Sequence, residues 1–448
     1  MIMNRLNARP APLLLAWVAA VFVLSGCQKV KDVFSDTNKQ EPLKGERISV
    51  LEYQRQIAPE TVTAPVEIEP AAVNADWPQL GGNPEHRPGH AALAASVERA
   101  WLRTIGARAT KYNPMTVSPV IAENTVYALD SRGHLTSTDL ITGKLNWYVL
   151  LLPEDKKNAP MPVGGGLAYD DGRLYVTAGG RALYAINPKN GAKVWQAALP
   201  TVGRIAPTIR DGRIYVVLLD NSLAVFSTQD GNRLWTYAGV METTSLLGAA
   251  AVAVDDSLVV LPMSSGELFG LRPENGRVVW QDNLSTVTGG TLTISDIVGL
   301  PVIDGDMVFT ISFGGKIVAI DKVTGLRRWQ REIGGTETPL VSGNTVFVVS
   351  EQQQLVALDR DTGAIRWVSQ LKNFRDADRK RPIVWSGPVL AGGRLWVVSG
   401  EAEMLEVSPA DGKTLKTHEV PTGSDVPPVV AGNTLVVLNK FGELMAWR

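Results

Sequence analysis

The chain is almost without cysteine. Of its 448 residues only Cys27 carries a thiol, so an intramolecular disulfide and a thiolate metal cluster are both excluded. Histidine is scarce too. His86, His90, His134 and His418 are scattered, and the two closest, His86 and His90, flank Pro88 and Gly89 in a loop with no third ligand in view. No metal site is expected from that pattern. Charge of one sign is also lacking: 44 basic residues face 45 acidic ones. Nothing in this balance marks a nucleic-acid binder, which needs a basic excess or stripe. No Gly-x-Ser-x-Gly elbow or phosphate-cradling loop occurs, and Gly164-Gly165-Gly166 reads as close backbone packing. The expectation is a protein without catalytic residues and without a cofactor. No apolar run is long enough for a membrane span: residues 13–24 number 12, against about 20 for a transmembrane helix.

That short run has another reading. Arg5 and Arg9 precede it without an acid, and it ends Leu24-Ser25-Gly26-Cys27. A basic start, an apolar middle, small residues and a cysteine at the cut make residues 1–26 a bacterial lipoprotein signal. The Cys27 thiol would take a diacylglycerol through a thioether, and acylation of the freed amine would complete a stable anchor of several chains. The alternative is an ordinary secretory signal with an incidental cysteine. Gln28 stands where aspartate favours inner-membrane retention in lipoproteins of enteric-type bacteria, so the expected address is the outer membrane, lipid-anchored and facing the periplasm. Residues 27–75 carry mixed charges and Pro59, Pro65 and Pro70 without strong periodicity. They read as a lipidated flexible tether, with residues 47–51 either a short contact motif or plain linker.

From residue 76 the chain repeats itself. Glycine, three residues, then tryptophan recurs at Gly143/Trp147, Gly191/Trp195, Gly231/Trp235, Gly276/Trp280, Gly325/Trp329 and Gly363/Trp367, and a seventh copy at Gly412 has Lys416 in place of tryptophan. A period of about 40–50 residues belongs to stacked repeats such as propeller blades. Each unit holds two six-residue apolar runs, for example 345–350 (TVFVVS) and 354–359 (QLVALD). Such β-branched runs bounded by Gly, Asn and Asp are strands. A strand with small residues precedes each pair and the tryptophan strand follows it. The predicted fold is therefore all-β: an eight-bladed β-propeller of four-stranded antiparallel blades over residues 76–448. Eight units need eight outer strands. The last unit lacks one, and residues 100–105, with Trp101, supply it, closing the ring. Seven blades is the alternative, should the unit near Lys416 be irregular. Trp101, Trp147, Trp195, Trp235, Trp280, Trp329 and Trp367 are expected to be architecture. Each packs on a neighbouring blade and buries roughly 150–250 Å².

The phrases AIDKVTG (319–325), ALDRDTGAIRW (357–367) and WPQLGGN (77–83) resemble the repeat of pyrroloquinoline-quinone-type propellers. One branch of that family is the quinone-dependent dehydrogenases; another is the BamB lipoproteins of the machinery that assembles outer-membrane β-barrels. The lipoprotein signal, tether and single propeller resemble the second branch. The dehydrogenase alternative implies a vicinal cysteine pair, which this chain cannot form. A propeller serving another envelope complex is the third reading.

The BamB resemblance implies partners: the POTRA region of a BamA-type barrel protein, other assembly-complex subunits, and outer-membrane lipid through acylated Cys27. It places the partner surface on mid-chain loops between blades. Leu246 and Asp296 fit the family pattern there. Leu247 stands where an arginine is typical, and Val298 where a second acid is typical. Leu246 and Leu247 follow a polar run and precede a small-residue strand, as an exposed apolar contact would; the alternative is that both fill space between blades. Insertions at residues 151–162 and 372–381, the latter basic through Arg375, Arg379, Lys380 and Arg381, are read as solvated loops or partner contacts.

Overall fold

The apolar runs become strands because each is bounded by turns that the chain makes cheaply. Asp139, Asp321 and Asp359 accept hydrogen bonds from the amides two and three residues on, and the glycine that ends each of these turns has a positive φ: 67° at Gly143, 72° at Gly325 and 69° at Gly363. An aspartate-capped turn closed by glycine reverses the chain without steric cost. A computed structural model describes residues 57–448 except 63, 111–113, 152–164, 179–180, 240–245, 247–249, 286, 289–290, 293–295 and 377–380, with backbone alone at 287–288 and 291–292. Cys27, Leu247, Arg379 and Lys380 lie outside the described residues.

The predicted architecture holds. Eight four-stranded antiparallel sheets form a ring, and the described residues contain no helix. Seven blades are simple meanders; blade 1, for example, runs Val120–Ala122, Thr125–Leu129, His134–Asp139, Leu145–Leu150. Blade 8 combines Val429–Ala431, Thr434–Leu438 and Glu443–Trp447 with Arg99–Thr104 as its outer strand. That strand pairs Trp101 with Ala446 and Leu102 with Met445, so the ring is closed by a strand from far away in sequence. The blade near Lys416 is regular, which sets aside the seven-blade alternative. A small ribbon, Val287–Thr288 against Thr291–Leu292, interrupts the connection between blades 4 and 5.

Burial falls outward along each blade. Thr345–Val349 is wholly buried, whereas the outer strands alternate or are open. The repeated tryptophans join blades. Each indole N–H on an outer strand donates to a carbonyl in the third-to-fourth turn of the next blade, at 2.8–3.3 Å. The glycine of that same turn lies against the ring: a Cβ at Gly325 would sit 2.5 Å from Trp280, and one at Gly363 2.6 Å from Trp329. Glycine and tryptophan of one repeat therefore serve two different joints. Within five blades the ring also meets a Tyr or Phe of the second strand, at centroid separations of 5.9–6.1 Å.

Lys416 occupies the tryptophan position of blade 7 and is exposed. The reason is topological. Blade 8 takes its fourth strand from Arg99–Thr104, so it has no third-to-fourth turn and offers no glycine for a ring to cover. Blade 7 is held differently. Buried Glu406 accepts from Arg394 at 2.7 Å and contacts His418 at 2.6 Å, while Arg394 also donates to the Ala95 carbonyl at 2.8 Å.

Residues 57–75, expected to be tether, pack on the propeller instead, and the folded unit begins at Ile57. Ile57, Val66 and Ile68 rest against the cores of blades 5 to 7. The chain then circles the inner strands. Asn74 bonds to blade 8, Trp77 to Ile121 of blade 1, Pro78 to Tyr169 of blade 2, Pro84 to Val254 of blade 4, Glu85 to Ile303 of blade 5 and Ala91 to Leu390 of blade 7. Gln79 makes paired side-chain bonds with Ile209 of blade 3, at 2.9 and 2.8 Å. Glu67 and Glu69 bond to Asn344 and Ser342 of blade 6. All eight blades are thus tied by one arm, which floors the central channel.

Candidate functional site at the channel mouth

In a four-stranded meander the first-to-second and third-to-fourth turns share one face. The second-to-third turns and the connections between blades share the other. The arm covers the first face. The axial channel, about 760 Å³, opens on the second, where the inter-blade connections ring it.

Leu246 and Asp296 meet at this mouth. Asp296 is buried, 1% exposed, and its Oδ2 accepts the Leu246 N–H at 2.5 Å. Its own carbonyl accepts from Phe313 N–H at 2.9 Å. Arg204, from the connection between blades 2 and 3, donates to the Leu246 carbonyl at 3.4 Å. Burial lowers the Arg204 pKa and the Asp296 charge opposes that shift. Three consecutive connections are therefore locked at one backbone position. Asp296 is buried, and the group it holds here is the Leu246 backbone. Leu246 itself is half-buried and lines the mouth with Leu219, Val298 and Phe313. Leu219, 56% exposed, extends this apolar rim; its place in a second-to-third turn carried no signal in the sequence. Arg204 was equally silent, one arginine in a connection.

Of the other candidates, His86 and Gly165 line the channel, and the rest lie apart from it. His86 meets the Pro301 carbonyl, His90 the Glu69 carbonyl, His134 Asp130, and His418 Glu406. In the insertion, Arg375 faces Glu401 at 3.3 Å and Arg381 faces Asp376 at 3.6 Å, so its described cations have carboxylate partners. Gly165 packs against Thr177 and Gly166 against Ala206, closer than any side chain would permit.

By architecture this is an eight-bladed propeller of quinone-type repeats, presenting a ring of loops around an apolar channel. A sequence-family profile described as outer membrane protein assembly factor BamB matches residues 151–369. The chain is 27% identical over 350 residues to BamB of Escherichia coli (strain K12), covering 77% of this chain and 87% of that one. Against BamB of Yersinia pestis it is 26% identical over 244 residues, 53% of this chain, and spans only 62% of that protein's length. The crystal structure of BamB from Moraxella catarrhalis superposes with a TM-score of 0.65 at 18% identity, covering 78% of this chain and all of that one. A europium-containing methanol dehydrogenase superposes at 0.66 and 14% identity, covering 83% and 98%. The chain is related to the BamB assembly factors, and with the dehydrogenases it shares a fold.

A metal-and-quinone centre does not fit this channel. Among the described residues its ionisable lining groups are His86, Arg204, Glu337 and Asp425, and Asp425 is engaged by Lys440 at 2.9 Å. Among the described residues no three His, Cys, Asp or Glu side chains gather as a ligand set.

Proposed function

We propose that this protein is a non-catalytic scaffold of outer-membrane β-barrel assembly, anchored in the outer membrane through Cys27 and facing the periplasm. It binds the POTRA region of a BamA-type barrel protein through the channel mouth, with Leu246 and Leu247 as the apolar contact and Asp296 as the residue that positions it. The observation that carries this reading is the Asp296–Leu246 bond, which fixes an apolar half-exposed side chain on a rim assembled from three inter-blade connections. The relationship to BamB proteins supports the same conclusion.

A pull-down of the tagged full chain from detergent-solubilised membranes tests it. Recovery of the BamA-type barrel is expected from the parent, and loss of that recovery from Leu246→Asp with an unchanged melting temperature. Recovery of other envelope proteins without the barrel would instead favour a different complex. A collapse of melting in Leu246→Asp would make that side chain core. The shared fold motivates one check on the dehydrogenase reading: protein mixed with quinone and calcium should reduce no dye with alcohols or sugars.

A further inference from the structure

The channel itself has a chemistry that the assembly reading does not use. We propose that it is a binding site for a small apolar molecule carrying one protonated amine, with Glu337 as the counter-ion. Its volume of about 760 Å³ falls in the range of small-molecule pockets. Trp77 and Leu80 of the arm form its floor, and Leu246, Val298 and Phe313 line its wall.

The electrostatics select the ligand. His86 is buried, with Nδ1 2.8 Å from the Pro301 carbonyl; that contact requires the proton on Nδ1, and burial lowers the ring's pKa to about 4. The imidazole is therefore neutral and the floor carries no cation. Arg204 is bonded to the Leu246 carbonyl and lies in the field of Asp296. Asp425 is neutralised by Lys440. Glu337 differs from all of these. Among the described residues it has no cationic partner, and its Oε2 accepts one hydrogen bond, from Gly387 N–H at 2.9 Å. Burial raises its pKa to about 7, the expected response of a carboxylate held without a counter-ion. An ammonium group on the ligand would remove that penalty. A carboxylate ligand would worsen it, and a neutral one would leave it unchanged.

The experiment uses the full chain in detergent micelles, titrated calorimetrically at pH 8 against empty-micelle blanks. The probes are adamantane bearing an ammonium, a hydroxyl or a carboxylate at the same bridgehead. The ammonium is expected to bind about tenfold more tightly than the hydroxyl, because only the ammonium neutralises the carboxylate's charge, and the carboxylate most weakly. Glu337→Gln should bring the ammonium to the level of the hydroxyl while changing the hydroxyl's own affinity far less. Val298→Trp keeps the carboxyl but narrows the channel, and should weaken ammonium and hydroxyl together. Equal affinity for all three probes overturns the proposal. So does an ammonium preference that survives Glu337→Gln, or full ammonium affinity in Val298→Trp. No partner protein enters the assay, so its failure leaves the assembly reading standing.

Discussion

Gly325→Ala isolates the energy of one blade joint. Gly325 has a φ of +72°, and an added Cβ would stand 2.5 Å from the Cβ of Trp280 and 2.6 Å from its Cγ. Two costs combine. Placing a side chain in the left-handed region costs about 1–2 kcal/mol, and overpacking a buried contact about 1–3 kcal/mol more. Trp280 cannot simply retreat, because its indole N–H donates to the Lys322 carbonyl at 2.9 Å and the ring covers Gly270 on its other side. The total is about 2–5 kcal/mol. Gly172→Ala is the control. Its φ is +71°, but nothing lies within 4 Å of the new methyl, so only the first cost of about 1–2 kcal/mol applies. Urea titrations followed by tryptophan fluorescence and by far-ultraviolet circular dichroism give the two values, provided the transitions coincide. A difference of about 1–3 kcal/mol between the variants is expected. Equal losses in both would show that the glycines are retained for turn conformation alone and that the joint account is mistaken.

Three further outcomes follow from the same geometry. Lys416→Trp should leave unfolding within about 0.5 kcal/mol of the parent, because blade 8 offers no glycine turn to receive the ring; a clear gain in a melting scan would contradict the topological explanation. Gln79→Ala strips both partners from the Ile209 backbone and should cost about 2–4 kcal/mol, with faster amide exchange at Ile209; unchanged exchange there would mean the arm does not hold blade 3. For Glu337 the folded pKa of about 7 lies above the ordinary 4.5, so the fold favours the protonated acid. The acid's penalty is absent below the lower value and grows as pH rises toward 7. Glu337→Gln should therefore match the parent near pH 4.5 and exceed it by about 1–2 kcal/mol at pH 8, a value discounted because Glu337 is only half-buried where it lines the channel. A constant difference across that range of urea titrations would refute the assignment.

Much of the architecture was legible before any coordinates, because the repeat is local. Strand runs, aspartate-glycine turns and tryptophans recur at fixed offsets, and counting outer strands against blades required the strand that residues 100–105 provide. The mouth was legible only in part. Leu246 and Asp296 stood out by resemblance, yet the sequence says nothing of their hydrogen bond or of Arg204 beside them, since each comes from a different connection. The arm is illegible for the same reason: residues 57–75 carry no periodicity, and their contacts are with blades far away in sequence.

The sequence by itself determined the repeating four-stranded unit and where each tryptophan stands, since those depend on backbone and packing rules that act within one repeat; that the unit near Lys416 is a regular blade, making eight, came from the structure. The tertiary structure alone decided three things: which glycine each ring covers, why blade 7 goes without one, and that the early arm floors a channel lined by Glu337, which among the described residues has no counter-ion. Those depend on ring closure, which brings together backbone groups and side chains hundreds of residues apart, and no local pattern encodes such distances.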